Sequence, residues 1–240
     1  MLAIETKNLT KKFGEKIAVD KINLEIHEGE LFALLGTNGA GKTTTIKMLS
    51  TLILPTDGEI KIRGLDIIKD RQEIKELLNV SPQETAIAPN LSVKENLEFM
   101  AGVYQIKNKN EKIKELIKVF KLEEVLNQKA KTLSGGWQRK VSIAISLIND
   151  PKILFLDEPT LGLDVIARKE LWAVIERLKG KITIILTTHY MEEAESLSDR
   201  IGIMAKGNLV DVGTAQELID KTGTKNFEDA FVKIATGGEL

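Results

Sequence analysis

Lys42 and Thr43 close the run Gly36-Thr37-Asn38-Gly39-Ala40-Gly41-Lys42-Thr43. Its G-x-x-x-x-G-K-[ST] spacing is the Walker A pattern of a phosphate-binding loop. Glycines let the backbone wrap closely with N–H groups pointing inward, and a helix starting at the end of the loop turns its positive end toward an anion. Lys42 can reach outer phosphates, and Thr43 can hold Mg²⁺. A second constellation is Asp157-Glu158 at the end of the apolar stretch Ile153-Leu154-Phe155-Leu156. This puts an acidic pair at the carboxyl end of a buried strand, where ligands of open α/β sheets sit. Asp157 would help hold Mg²⁺, and Glu158 could orient or polarise an attacking water. A third segment, Leu133-Ser134-Gly135-Gly136-Trp137, precedes a helix. By itself it is either an anion-binding helix start or a glycine turn that caps the helix.

These groups need elements to hold them. Leu31-Phe32-Ala33-Leu34-Leu35, before the phosphate loop, is continuously apolar and fits a strand covered on both faces. Ile153–Leu156 and Ile182–Leu186 are of the same kind. Thr44–Leu52 reads as the helix after the loop. Ile22, Leu24 and Ile26 alternate with polar residues, and Glu59–Arg63 repeats that pattern after a Pro55–Gly58 turn. From about Glu84 to Asp150 the pattern is helical, with a capping box at Ser92, an apolar face at Ile113, Leu116, Ile117 and Phe120, and another at Val141, Ala144, Ile145 and Ile148 before Pro151. A hairpin turning at Lys206-Gly207-Asn208 and a capping box at Thr214 follow. The expected fold is α/β, a P-loop NTPase core with an N-terminal antiparallel β subdomain and a helical insertion over about residues 84–150. All of it lies in one domain spanning 1–240, with a tail from about Thr222.

The 240 residues carry 34 Lys and Arg against 35 Asp and Glu, a net charge of −1, which excludes a polybasic nucleic-acid or membrane-surface protein. With no cysteine, there is no disulfide framework, thiolate metal site or cysteine nucleophile. The longest stretch free of Asp, Glu, Lys and Arg runs from Leu31 to Gly41, far short of the roughly 20 residues of a membrane-spanning helix. Glu5 and Lys7 interrupt any signal-peptide apolar region. The expectation is a soluble chain held at a membrane, if at all, by a partner.

The order of phosphate loop, Ser-Gly-Gly segment and Asp-Glu strand end resembles the nucleotide-binding subunit of ABC transporters, from about Met1 to Val212. The resemblance implies ATP and Mg²⁺ as cofactors. It implies that Phe13, in Lys12-Phe13-Gly14, stacks on adenine with Val19 beside it. ATP would lie on Gly36, Thr37, Asn38, Gly39, Ala40, Gly41, Lys42, Thr43 and Thr44. Gln83 would serve Mg²⁺ and water and link them to the membrane partner, and His189 would contact the γ-phosphate. Asp164, in Leu163-Asp164, would lie in the loop that touches a second subunit. Ser134, Gly135, Gly136 and Trp137 would reach ATP across a head-to-tail dimer. Trp137 stands where the family more often has Gln.

The implied catalytic set is Glu158, His189 and Gln83, with Thr43, Gln83 and Asp157 on Mg²⁺. His27, in a polar turn, reads as a surface residue. Leu186–Glu195 and Phe227–Val232 resemble the subgroup serving ABC-2 type exporters. The implied partners are a second copy and transmembrane permease subunits on the cytoplasmic face of a membrane, with no nucleic acid. An ABC ATPase acting on DNA or ribosomes would carry a long coiled coil, zinc modules or two fused domains, and none is visible. A non-catalytic nucleotide sensor would not need Glu158 and His189, and a P-loop kinase or GTPase would not need the Ser-Gly-Gly segment.

Overall fold

In the computed structural model, which describes residues 1–238, the chain opens with two long strands, β1 (Leu2–Phe13) and β2 (Lys16–His27). They form an antiparallel hairpin with Phe13 opposite Lys16. On β2, Ile22, Leu24 and Ile26 are buried and their polar neighbours exposed, as the alternation requires. β3 (Leu31–Gly36) is buried at every residue and leads through the phosphate loop into α1 (Lys42–Leu49). β4 (Asp57–Ile62) and β5 (Leu65–Asp66) return to the first sheet, which is antiparallel with order β2-β1-β4-β5. α2 (Arg71–Leu77) then leads to β6 (Leu78–Ser81).

The helical region comprises α3 (Val93–Val103), α4 (Lys109–Phe120) and α5 (Gly135–Ser146), with 3-10 turns at Glu123–Val125 and Ala130–Thr132. β7 (Ile153–Asp157), α6 (Val165–Leu178), β8 (Thr183–Thr188) and α7 (Met191–Leu197) complete the crossover units. β9 (Arg200–Ala205), β10 (Asn208–Gly213), α8 (Ala215–Thr222) and α9 (Phe227–Thr236) follow.

The second sheet has the order β10-β9-β3-β8-β7-β6, parallel except for the β10 edge. From central β3 the chain travels to the far edge at β6, returns through β7 and β8, and passes over β3 to β9. The loops after β3, β7 and β8 therefore leave the same sheet edge side by side, the place where such sheets bind ligands. Alternate residues of β3 serve two cores. Leu31, Ala33 and Leu35 pack with the helical region, whereas Phe32 and Leu34 pack under the antiparallel sheet with Ile46 and Leu49 of α1. Each large side chain buried this way contributes about 1.5–3 kcal/mol. Both faces of the strand are covered, hence its unbroken apolar run.

Several boundaries differ from expectation. α1 stops at Leu49 instead of Leu52, because Thr51 takes φ 65° and Leu52 stays 60% exposed. β4 begins inside the expected turn: Gly58 (φ 87°) passes so close to β1 that a Cβ would stand 2.4 Å from the Asn8 carbonyl oxygen. The helices of the 84–150 region begin only at Val93, where Ser92 forms the expected capping box. α5 ends at Ser146, ahead of Pro151, while Ile148 stays buried in the following turn. The β9–β10 turn is Lys206-Gly207, both left-handed (φ 49° and 85°), as a two-residue hairpin demands, so Asn208 already belongs to β10. The expected tail forms α9, whose Phe227 and Phe231 are buried in the helical-side core. Residues 239–240 of that tail lie outside the described residues.

Candidate active site

A cavity of about 650 Å³ opens at the shared edge of β3, β7 and β8. Asn38 through Thr44, Gln83, Glu158 and His189 line it. Gly36 and Thr37 are not in the lining, Gly36 being buried and Thr37 exposed. Gly36 ends β3 so close to β9 that a Cβ would sit 2.5 Å from the Met204 carbonyl oxygen. Gly41 takes φ 105° to start α1, and its Cβ would stand 2.6 Å from the Ala18 carbonyl oxygen. Both glycines are thus required by close approach, and the second also by its backbone conformation.

Lys42 is only 5% exposed. Its Nζ donates to the carbonyls of Gly36 (2.8 Å) and Thr37 (3.3 Å) and pairs with Glu158 Oε1 at 3.2 Å. The other carboxylate oxygen of Glu158 lies 2.7 Å from His189 Nδ1. Glu158 therefore bridges the lysine and the histidine, and its own backbone is left-handed (φ 49°) just past the strand end. Its N–H donates to the Thr187 carbonyl and hydroxyl at 3.1 and 3.0 Å, which ties β7 to β8 at that point. Thr43 Oγ1 donates to Asp157 Oδ1 at 3.1 Å, and Thr187 Oγ1 donates to the same oxygen at 2.6 Å. Asp157 is 5% exposed and reaches the cavity lining only through its bond with Thr43.

The oxygen set of Thr43, Asp157 and Gln83 is the hard, sparse kind that suits Mg²⁺ completed by waters and ligand phosphates. No group of three or more His, Cys, Asp or Glu able to hold a metal by itself exists among the described residues. Gln83 lies exposed on the cavity wall, and its carbonyl accepts from the guanidinium of buried Arg139. Arg139 also donates to the Pro82 carbonyl at 2.7 Å, and Ser81 meets Ser142 at 3.2 Å. Three residues of the Gln83 segment are thereby fastened to α5. Burial holds the Arg139 guanidinium below its ordinary value, against the opposing charges of Asp157 and Glu193.

The structure brings Lys42, Thr43, Asp157, Glu158, Gln83 and His189 together. Other expected residues lie apart. Phe13 is 53% exposed at the β1–β2 hairpin end, with Lys11 Nζ 5.2 Å from its ring centroid, and is not itself in the lining. Its cross-strand neighbour Lys16 is in the lining, followed by Ile17 and Ala18. Val19 is fully buried, its Cγ2 3.5 Å from where a Gly41 Cβ would stand, so it packs beneath the loop.

Ser134 and Gly135, at the start of α5, are exposed and outside the cavity. Ser134 occupies the N-cap without any side-chain cap bond. Beside them, Gly135 and Gly136 pack against Leu163 and Ala167, where a Gly136 Cβ would stand 3.0 Å from Ala167 Cβ. Asp164 caps α6, its Oδ1 accepting from the N–H groups of Ile166 and Ala167 at 2.9 Å each. Trp137 packs onto the helical core, with Lys140 Nζ 4.5 Å from its ring centroid, and lines a separate cavity with Glu170 and Arg177. His27 is exposed, as expected.

Sequence reading missed that the Lys16–Ala18 segment and the expected Lys206-Gly207 turn line the cavity. Gly207 donates to the Ala40 carbonyl and accepts from the Asp20 N–H, at 3.1 and 2.8 Å. The phosphate loop is therefore clasped between β2 and the β9–β10 turn. No local signal places these residues at the cavity, because long-range strand pairing brings them there.

Residues 19–161 match the family model described as ABC transporter. The chain is 39% identical over 239 residues to the "Probable multidrug ABC transporter ATP-binding protein YbhF" of Escherichia coli, covering 96% of this chain and 41% of that protein. It is 42% identical over 226 residues to the human "Phospholipid-transporting ATPase ABCA3", covering 92% of this chain and 13% of that one. The chain thus spans less than half the length of these curated relatives. Among solved structures, an ATP binding subunit of an ABC transporter aligns with a TM-score of 0.86 at 27% identity, covering 97% of this chain and 99% of that one. The dimeric post-hydrolysis state of the ATP-binding cassette MJ0796 bound to ADP and Pi aligns with a TM-score of 0.79 at 28% identity, covering 88% and 98%.

Proposed function

Because the chain belongs to the ABC transporter family as one of its ATP-hydrolysing domains, we propose that it is the motor of an exporter, closing with a second copy around ATP to drive separate membrane permease subunits. One observation carries this reading. Lys42, Glu158 and His189 are already in contact within one chain, while Ser134, Gly135 and Gly136 stand outside that cavity on an exposed helix start. A helix N-terminus of this kind is suited to phosphate supplied from another molecule. The apolar residues Val165 and Ile166, 57% and 73% exposed, open α6 behind the Asp164 cap, and Leu163 and Ala167 from the same stretch lie against Gly135 and Gly136. Contact with a second copy would cover Val165 and Ile166.

In this mechanism the amides of Gly39 to Thr44 receive the phosphates, and Lys42 leaves its carbonyls and Glu158 for the outer phosphoryl groups. Glu158, released from the lysine, then polarises the attacking water, with His189 holding its second oxygen and reaching the γ-phosphate. Thr43, Asp157 and Gln83 would hold Mg²⁺, which when bound neutralises phosphate charge. Phe13 offers its ring face to adenine from the hairpin end. Arg139 carries any shift of the Gln83 segment to α5, and so from one phosphate site toward the face of its counterpart.

Among the described residues no helix is long and apolar enough to cross a membrane. In this reading the permease would hold the chain at the cytoplasmic face of the membrane. The name of the Escherichia coli relative supports a multidrug-type export role. The net charge of −1 gives no reason to expect a nucleic-acid partner.

The test is Glu158→Gln with saturating Mg-ATP, followed by light scattering and phosphate release. The expected result is a doubled mass that ADP does not support, with hydrolysis lowered at least about a hundredfold. A variant that stays monomeric, or that hydrolyses at the wild-type rate, overturns the reading.

A further inference from the structure

The segment Leu186–Glu195 contains His189, which the mechanism uses, and Tyr190, which it does not. His189 is joined to Glu158 by one hydrogen bond, at Nδ1 and 2.7 Å long. One bond holds one edge of an imidazole and leaves its plane free to tilt, because the outer torsion of a histidine has broad minima. A second restraint must set that plane if the ring is to meet a phosphate reproducibly. The next residue supplies a ring for the purpose. The His189 and Tyr190 centroids lie 4.1 Å apart, with the two planes inclined by 38°.

Tyr190 is held in turn. Its N–H donates to Thr188 Oγ1 at 2.9 Å, which fixes its backbone at the end of β8. Over its half-buried ring lies the guanidinium of Arg168 from α6, 5.5 Å from the centroid. The same guanidinium lies over the ring of Trp172, at 5.7 Å. Both distances fall within the roughly 6 Å over which a cation is drawn to a ring face. Trp172 is itself anchored to α7, its Nε1 donating to Glu193 Oε1 at 3.0 Å. Arg168 has one ion pair among the described residues, with Glu192 at 3.9 Å, and that carboxylate is 60% exposed. A pair so long and so open to water contributes little. The two rings therefore do most of the holding.

We propose that Tyr190 and Arg168 are positioning residues for His189: the tyrosine ring sets the plane of the imidazole bonded to Glu158, and the arginine, lodged against Trp172, keeps the tyrosine ring in place. The assignment rests on the roles given to Glu158 and His189 under the proposed function. Neither Tyr190 nor Arg168 lines the nucleotide cavity. Their loss should therefore act on the rate and spare nucleotide uptake. A phenylalanine would serve at position 190, since the ring and not the hydroxyl is used. A leucine fills much of the same space and offers no ring face. A glutamine at position 168 removes both the charge and the planar fork that lies along the rings.

Two readouts test this, ATP turnover and the imidazole proton resonances of the full chain. The chain has only two histidines, and His27 is exposed, so the His189 signals are identified by their loss in H189Q. Y190F is expected to keep kcat and KM within about twofold of wild type. Y190L is expected to lose about tenfold in kcat with KM for ATP within about twofold, the mark of a displaced reacting group with intact binding. R168Q should lose about fivefold in kcat, and R168Q/Y190L should be within about twofold of Y190L alone, because the arginine acts through the tyrosine. In the spectrum, Y190L and R168Q should both move the His189 signals and leave those of His27 in place.

The proposal is overturned by Y190F as slow as Y190L, by Y190L as fast as wild type or altered in KM instead of kcat, by losses that multiply in the double variant, or by His189 signals that Y190L leaves unmoved. Absence of turnover in wild type would instead defeat the functional reading, and the spectra would still decide whether Tyr190 and Arg168 hold the imidazole.

Discussion

The two glycine-containing helix starts of this chain are built alike and finished differently. At α1 the loop is clasped by β2 and the β9–β10 turn, and its lysine is bonded to two loop carbonyls and a buried glutamate. At α5 the first turn is exposed, and the N-cap serine leaves its hydroxyl out of the cap. The same helix-end physics thus yields one site with internal partners and another whose donors face outward. A chain with one finished half and one presented half is suited to pairing with a copy of itself, each supplying what the other lacks.

The contrast can be broken most severely at the finished end. Lys42→Ala should abolish ATP turnover, by at least about a thousandfold, since it removes the cation proposed to bind the outer phosphates. It should also cost about 3 kcal/mol of folding stability, because Glu158 loses its buried cation. Adding Glu158→Gln to Lys42→Ala should restore most of that stability, which urea unfolding would measure. A double variant no more stable than the single one would mean that the pair adds nothing to the fold.

The presented end should respond in the opposite way. Ser134→Ala is expected to lower turnover about tenfold or more while leaving nucleotide affinity of the isolated monomer within about twofold and folding stability within about 0.5 kcal/mol. Monomer affinity is read by titration with a fluorescent nucleotide. A clear loss there would place Ser134 in its own chain's site and erase the distinction drawn above. The smallest effect belongs to the neighbouring cap. Asp164→Ala removes two N–H acceptor contacts at the start of α6 and should cost about 1 kcal/mol in urea unfolding. A stability change at Asp164 with none at Ser134 would separate a serine kept for binding from an aspartate that also holds its helix.

What could be read in the residues was whatever is local along the chain. The phosphate loop, the Asp157-Glu158 strand end and the Ser134–Gly136 turn are each a few consecutive residues, and the strands that carry them announce themselves by unbroken apolar runs. The capping boxes at Ser92 and Thr214 formed as their spacing required. The cap formed by Asp164 had its own signal, an acidic residue directly before a helix, although the residue drew attention only through family likeness.

What stayed hidden depends on pairing between distant segments. Lys16–Ala18 and Lys206-Gly207 become walls of the cavity only when β2 and the β9–β10 hairpin close on the loop. Glu193 looks like one acid among several in a polar helix, yet it is fully buried and bonded to Trp172 of α6. Boundaries slipped where one backbone angle overrode a favourable run, as at Thr51 and Gly58.

Short surface hairpins are the usual places to graft an affinity tag, a reporter or an extra peptide. The Lys206-Gly207 tip is a poor choice, because its amide and carbonyl stitch the Walker A segment to β2. An insertion there would surface in an assay as weakened nucleotide uptake, a defect that a linear map would never trace to the far side of the gene product.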